Sequence, residues 1–556
     1  MLYTVQNNMI EWSYESEKEY IDPFNDIELS VIITDLDSKQ KEIPAFWAGG
    51  QTWRVRYASS KMGIHHVRSV CSDASNTSLH GKEECIQIDK YEGDNPLMKH
   101  GALEVSKNRR YLQHKDGTPF FWLGDTWWMG FTKRLEWPED FKTLTADRRE
   151  KGFTVIQIVA GLYPDMVPFD ERGANEAGFP WSTDFSCVNP EYFDKVDRRI
   201  AWLVESGLVP CIVGCWGYYI DFAGIEVLKK HWHYLYARYG AYPVVWCMAG
   251  EALMPFYGCL SWTGEKKEKY SRLQNDQKAN LEYQAWARKG WTELTQYLKS
   301  INSYGHPVTI HPTNFGHKMV DDPSLLDIDL LQTGHGSWSS FQGTVKMINE
   351  ALNHDPKMPV INGEVCYEGI GCSNYADAQR FVFWTGMLSG AAGHTYGADG
   401  VWQVNHKDCV FGASPQGVMW GSTDWKDAYL LPGSRQLGIA KKILKQYEWW
   451  NFEPHTDWCE PHAENDNHLA SYAAGIAGKV RIIYIPFCSA KPIVKNIEKD
   501  ISYRAFYVNI INGDVYPIGD VTPDENGKWK PEQPVPIFSD ILLVMENKKA
   551  RSYKQK

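Results

Sequence analysis

Eight short apolar runs recur between Pro119 and Gly397, separated by longer stretches that carry helix signals. The runs fall at 119–128 (a hairpin leading into the first strand), 154–159, 209–214, 244–248, 307–313, 329–335, 359–363 and 391–397. Between them, Trp137-Pro138 opens one helix and Lys151-Gly152 closes it, the usual proline-in, glycine-out pattern. A helix from 190 to 206 ends at Gly207 and one from 224 to 239 at Gly240, with others expected over 276–303, 342–354 and 375–389. Strand–helix alternation of this length is most economically an α/β fold closed as a (β/α)8 TIM barrel. An open doubly wound sheet has the same spacing, but no G-x-G-x-x-G follows the first strand.

The flanks read differently. Up to about residue 108, short period-two runs such as Ile27–Thr34 and Thr52–Tyr57 alternate with turn-rich pieces and no helical stretch. That pattern suggests an N-terminal antiparallel β-sandwich. Beyond about 450 short strands return at 469–474, 480–486, 504–509 and 537–544, a smaller C-terminal β-sandwich. The expected domains are therefore 1–108, 109–450 and 451–556, as 556 residues exceed what one core can serve.

A net charge of −11 disfavours a nucleic-acid partner, whose affinity comes from clustered Lys and Arg. The basic tail, Lys548 to Lys554, reads as a solvated end. No signal peptide or membrane span is visible, and twelve cysteines lack C-x-x-C pairing. Several of them (Cys211, Cys215, Cys247, Cys366) lie in or beside core strands, which fits unpaired thiols in a cytoplasmic protein. The histidines of His65-His66 and His231-Trp232-His233 do not follow strand ends as a barrel metal site requires. No metal or cofactor is expected; a homo-oligomer remains open.

In a parallel barrel the residues just past the strands' carboxyl ends line the ligand cleft. Two of the runs end alike, in glycine then glutamate: Ala249-Gly250-Glu251 and Asn362-Gly363-Glu364. They fall on the fourth and seventh strands, opposite each other across the cleft. Two facing carboxyls can serve as acid/base and nucleophile of a glycosidase. Glu251 is the expected acid/base and Glu364 the nucleophile, each weighed against a plain helix-capping role. Around them the strand ends offer Asp125, Trp127, Trp128, Gln157, Trp216, Tyr218, His311, Asn314, Gln332, His335, Tyr367, His394, Tyr396 and Trp402. Such a rim of amides, imidazoles and flat rings suits a polyhydroxylated, oligosaccharide substrate. The long loop 160–190, with Tyr163, Asp165, Phe179 and Trp181, is expected to shape the pocket. Glu368 is read as a loop residue that touches substrate. A glycan-binding protein without activity, or a lyase or isomerase using His394 or Tyr396 as base, are the competing classes.

Three motifs, Phe121-Trp122-Leu123-Gly124-Asp125-Thr126-Trp127-Trp128, Asn362 to Glu368 and Gly393 to Gln403, resemble the apiosidase-like barrels, glycoside hydrolase family 140 and relatives. The resemblance covers roughly residues 105–440. It implies a retaining hydrolase of plant-derived oligosaccharides with acid/base on strand four and nucleophile on strand seven, positions matched by Glu251 and Glu364. It also implies a preceding β-sandwich and a following β-domain. Related barrels commonly place Asn before the acid/base glutamate; here Ala249-Gly250 stands there, so the contact to the sugar 2-hydroxyl is expected from His311 or Asn314.

Overall fold

In the structure, a computed structural model, residues 1–488 and 491–549 are described. The part of the basic tail from Ala550 onward lies outside the described residues. The centre of the chain is an eight-stranded parallel barrel sheet: β1 Trp122–Thr126, β2 Val155–Val159, β3 Val209–Val213, β4 Val245–Cys247, β5 Val308–Thr309, β6 Asp329–Gln332, β7 Val360–Glu364 and β8 Gly393–Tyr396. The order is β5-β4-β3-β2-β1-β8-β7-β6. Every paired neighbour is parallel, for example Trp122 with Gly393 and Gly124 with Val155. At the seam between β5 and β6 no ladder forms, but the Asp327 amide donates to the Val308 carbonyl (2.8 Å) and Thr309 Oγ1 to the Ile328 carbonyl (2.9 Å). These bonds draw the seam together.

Buried on both faces, such strands are nearly continuous in apolar residues. All five residues of β2 are buried, Gln157 included. The helices that cover the sheet begin as the sequence indicates. At Pro190–Glu205 the Asn189 side chain accepts from the Tyr192 amide and Pro190 takes the first turn, where a missing N–H costs nothing. One crossover departs from the scheme of helices between strands. Between β5 and β6 there are only two 3₁₀ turns, Gly316–Lys318 and Pro323–Leu325.

The N-terminal region packs a five-stranded sheet against a three-stranded one over Val31, Ile33, Trp53, Val55, Ile86 and Ile88. It differs from an all-antiparallel sandwich in one pairing: Leu2–Val5 runs parallel to Glu83–Asp89. It also contains two short helices, Pro23–Asp26 and Pro96–His100, where no helix is expected. Both start on an Asx cap followed by proline, a local signal that outweighs the surrounding strand pattern. Arg56 joins this region to the barrel: its guanidinium pairs with Asp197 and donates to the Arg238 carbonyl (2.8 Å).

The C-terminal region is a six-stranded antiparallel sheet, with a further two-stranded pair. One sheet face has its own core of Ile483, Ile485, Tyr507 and Leu543. The other packs on the helix Ala376–Ser389, where Phe381 meets Tyr484 (ring centres 6.3 Å apart) and Arg380 pairs with Asp540 at 2.7 Å. The helix after the Glu364 strand is thus braced from outside the barrel.

Candidate active site

The two glutamates meet through a third side chain. Gln332 ends β6, and its Nε2 donates to Glu251 Oε1 (3.0 Å) and to Glu364 Oε1 (3.1 Å). Both oxygens lie within one hydrogen bond of a single nitrogen, so they can be no farther apart than the two bonds laid end to end, about 6.1 Å.

Backbone irregularities aim both carboxylates. β7 pairs with β6 in regular register to Leu331–Asn362, then skips Gly363 so that Gln332 faces Glu364. Such a bulge re-aims the next side chain. Only glycine fits at 363, because a Cβ there would lie 2.4 Å from Leu330 Cγ. Glu251 stands past the end of β4 at φ +46°, in the left-handed region that non-glycine residues seldom occupy.

The surroundings separate the two groups electrically. Glu364 is 5% exposed, which by itself raises a carboxyl's pKa. Two imidazoles outweigh that: His335 Nε2 lies 2.9 Å from Oε1, and His311 Nε2 lies 3.0 Å from Oε2. The His311 contact is at ion-pair distance but off the line of a hydrogen bond. The net effect holds Glu364 well below the usual carboxylate range. Burial opposes protonation of both histidines, yet the Glu364 charge raises them. Glu251 goes the other way. Burial first, then the Glu364 charge, push it up to about 7, against the Gln332 amide and His311, which pull it down.

Trp216 Nε1 donates to Glu251 Oε2 (3.2 Å), and Trp128 Nε1 to the Tyr367 hydroxyl (3.1 Å). The Trp128 ring stands edge-on to Trp216 (5.5 Å) and His311 (5.4 Å), and Tyr367 packs against His335 at 4.8 Å. Of the strand-end residues, the structure thus gathers Glu251, Glu364, Gln332, His335, His311, Trp216, Trp128 and Tyr367.

The others are engaged elsewhere. Asp125 is fully buried, bound to Arg148 Nε (2.5 Å) and Trp127 Nε1 (2.7 Å). Trp127 is likewise enclosed, edge-on to Phe141. Gln157 sits inside the barrel, donating to the Gly363 carbonyl (3.0 Å). The Tyr218 hydroxyl donates to the Tyr163 and Met166 carbonyls, which pins the long loop rather than facing a ligand. The Asn314 side chain accepts from its own neighbour, the Phe315 amide. His394 is packed against Phe383 and driven down to about 3 by burial, so its ring takes up a proton poorly and is a weak base. Tyr396 donates to Glu368 Oε2 (2.6 Å), and Glu368 also accepts from the Gly433 amide. Glu368 is therefore a buried tie to the helix Pro432–Leu444, not a substrate contact. Trp402 is buried beside Phe411, its ring centre 5.6 Å away.

Asp165 is a group that strand-end reading misses. It lies on loop 160–190 at φ +54° and accepts from the Tyr257 hydroxyl. Burial is the main reason its carboxyl is raised. Arg172 of the same loop donates to the Phe411 and Ala413 carbonyls (3.2 and 3.0 Å), tying it to the loop after β8. The signal was loop length alone.

Residues 106–451 match the family described as Apiosidase-like, catalytic domain. The chain belongs to that family. Residues 5–72 match a domain of unknown function, DUF5060. No curated protein matches the chain. Among solved structures, this chain superposes on one described as a glycoside hydrolase (20% identity, TM-score 0.64, covering 83% of this chain and all of the other). A family 5 glycoside hydrolase from Bacteroides vulgatus gives 20% identity and TM-score 0.66 over 84% and 97%. Another protein from that organism gives 16% and 0.69 over 98% and 100%. The fold is that of glycoside hydrolases.

Glycine at 250 has a steric reason. A Cβ on Gly250 would lie 2.2 Å from Cε3 of the Trp216 ring. The indole occupies the space a side chain at 250 needs, and its N–H reaches Glu251 from there. Gly250→Ala is expected to cost about 1–3 kcal/mol by overpacking and to lower kcat by displacing Trp216 from Glu251. A thermal melt and steady-state kinetics check the two effects.

Proposed function

We propose that the protein is a retaining glycoside hydrolase, with Glu251 as acid/base and Glu364 as nucleophile, acting on plant-derived oligosaccharides as its family membership suggests. The observation that carries this reading is the single glutamine amide bridging two carboxyls, one of which has two imidazoles beside it. Retaining enzymes hold their carboxyls about 5–5.5 Å apart and inverting ones about 6.5–9.5 Å, with a water between. The limit of about 6.1 Å set by Gln332 favours the first.

In the first step ionised Glu364 attacks the anomeric carbon while Glu251 gives its proton to the departing glycosidic oxygen. The ester that forms has no charge, and the Glu364 charge is what helped to raise Glu251. Glu251 therefore becomes a weaker acid-holder at the moment its role changes. As a carboxylate it takes a proton from water, the water oxygen attacks the anomeric carbon, and Glu364 leaves. His311 and His335 keep Glu364 ionised before and after. Trp216, through its indole N–H, holds the Glu251 carboxyl in place beside the cleft.

The domains of this enzyme are proposed at 1–108, 109–450 and 451–556. Its cysteines are unpaired, which fits a reducing, cytoplasmic setting. Among the described residues no helix is long and apolar enough to cross a membrane.

The stereochemical outcome tests the mechanism. With a panel of aryl glycosides, proton NMR of the first-formed sugar is expected to show the anomer of the substrate. Formation of the opposite anomer overturns the retaining assignment; no turnover of any glycoside that binds favours a glycan-binding role.

A further inference from the structure

Three loops at the carboxyl face of the barrel converge on a carboxylate to which hydrolysis by the two glutamates gives no task. Asp165 stands on the loop after β2, in the left-handed region at φ +54°. Both of its flanks are clamped. The Tyr218 hydroxyl donates to the Tyr163 carbonyl (2.8 Å) and the Met166 carbonyl (3.2 Å), and Arg172 Nη2 donates to the Asp165 carbonyl itself (3.3 Å). A non-glycine residue held in such a conformation stores strain of the kind that gathers at ligand-binding positions.

The side chain is placed from the other two loops. Tyr257, on the loop after β4, donates its hydroxyl to Asp165 Oδ1. Trp420 comes from the loop after β8: burial raises the Asp165 carboxyl, and the Tyr257 hydroxyl and the Trp420 indole pull it back down. The loops are also joined through their backbones, the Leu260 amide donating to the Pro415 carbonyl (2.9 Å). Asp165 belongs to the same cleft as the glutamates. Three residues before it, the Leu162 carbonyl accepts from the Trp216 amide (2.8 Å), and Trp216 is the residue whose indole holds Glu251. Burial is the first cause raising both Asp165 and Glu251, but the Glu364 charge reaches Asp165, and the Asp165 charge reaches Glu251.

A carboxylate offers about four lone-pair sites. Tyr257 and Trp420 fill two at most, and Asp165 is only partly buried, so two remain for a ligand. No ion pair to Asp165 forms among the described residues. Arg172 spends its guanidinium on Asp170 (2.8 and 2.9 Å) and on loop carbonyls, while His311 and His335 are turned to Glu364. Trp420 is 36% exposed, whereas Trp128 and Trp216 are buried. An open indole beside a carboxylate with open lone pairs matches the two sides of a neutral sugar, its C–H face and its hydroxyl edge. A sugar acid brings its charge against Asp165 and Glu364 instead, and like charges set together select against a ligand.

We propose that Asp165, with Tyr257 and Trp420, is a specificity-determining substrate contact that binds the hydroxyls of a neutral sugar and turns uronates away. The inference rests on this cleft being the sugar site, and not on the roles given to Glu251 and Glu364. Titration of the full chain with sulfur-linked 4-nitrophenyl glycosides, which are bound but resist cleavage, tests it. The probes are the xyloside, arabinofuranoside, rhamnoside, galactoside and glucoside in both anomers, with the glucuronide as the charged counterpart. At least one neutral probe is expected to bind at least about tenfold tighter than the glucuronide. Asp165→Asn is expected to weaken that neutral probe at least about tenfold, as loss of a charge-assisted hydrogen bond does, and to tighten the glucuronide. A residue that only shaped the loop would weaken both probes when changed. Should Asp165→Asn fold poorly, Trp420→Ala, a change at an exposed ring, still has to weaken the neutral probe without tightening the glucuronide. Kinetics with the oxygen-linked glycosides separate the two readings. Binding that follows Asp165 without any hydrolysis removes only the catalytic assignment; hydrolysis whose KM ignores Asp165→Asn removes only this contact. No binding of any neutral probe, glucuronide binding equal to it, or both probes weakened alike by Asp165→Asn overturns the proposal.

Discussion

Replacing Glu364 with Gln is expected to lower kcat by about 10⁴-fold or more, the largest effect of any single change in this chain. The amide has nearly the shape of the carboxylate but no charge and one acceptor where there were two. The nucleophile is lost, and so is the partner that raises His311 and His335. Both imidazoles then fall back toward their desolvated, neutral state. The change also acts on stability. Glu364 has a folded pKa below its unfolded value, so it stabilises the fold above pH ~4.3 and loses that contribution as pH falls. Glu364→Gln should therefore melt earlier than wild type at pH 7. Kinetics on an activated aryl glycoside check the first effect. A second variant assigns the role: Glu364→Gly in azide is expected to regain turnover and release a glycosyl azide of inverted configuration. Near-wild-type turnover in Glu364→Gln removes it as nucleophile.

Much of this site was legible because barrel strands advertise themselves. A doubly buried parallel strand must be an apolar run, so its end is visible, and Gly363-Glu364 and Gly250-Glu251 mark two such ends. The pairing partners were not legible. Asp125 occupies a strand end just as Glu364 does, but Arg148 arrives from the next helix and takes up its charge. Nothing local in the sequence announces that. Gln157 and Tyr396 repeat the lesson: a polar residue at a strand end can turn into the barrel and be satisfied by its neighbours. Gln332 shows the reverse. It reads as a substrate holder, yet its amide is committed to the two glutamates and sets their spacing. The crossover between β5 and β6, which holds only two 3₁₀ turns, was not legible, because the spacing of the strands is the same with or without a helix between them. Nor was the parallel pairing of Leu2–Val5, because its partner lies some eighty residues along the chain.

Glu251 is the group through which pH should govern the enzyme. Since kcat/KM reports the free enzyme, its alkaline limb is expected near pH 7, where Glu251 gives up the proton it must deliver. The acid limb lies below the ordinary carboxylate range, because Glu364 stays ionised there. Glu251→Gln is expected to abolish the alkaline limb along with most activity on substrates with poor leaving groups. Activity on substrates whose leaving group needs no proton should suffer less in the first step. The stability effect has the opposite sign to that of Glu364→Gln. A carboxyl whose folded pKa is raised from 4.5 to about 7 costs nothing below the unfolded pKa, destabilises progressively as pH rises from there to about 7, and costs a constant amount above it. The cost is at most about 3.4 kcal/mol, and less because the side chain is partly exposed and water screens it. Glu251→Gln should therefore melt higher than wild type at pH 8 and level with it at pH 4. Melting curves at the two pH values check this, and a lower melting point at pH 8 shows that Glu251 is not held against its preference for water. The two isosteric changes, 3.0 and 3.1 Å either side of one glutamine amide, then move stability in opposite directions while both remove activity. A pair of plain helix caps has no reason to do that; an acid and a nucleophile kept apart in charge do.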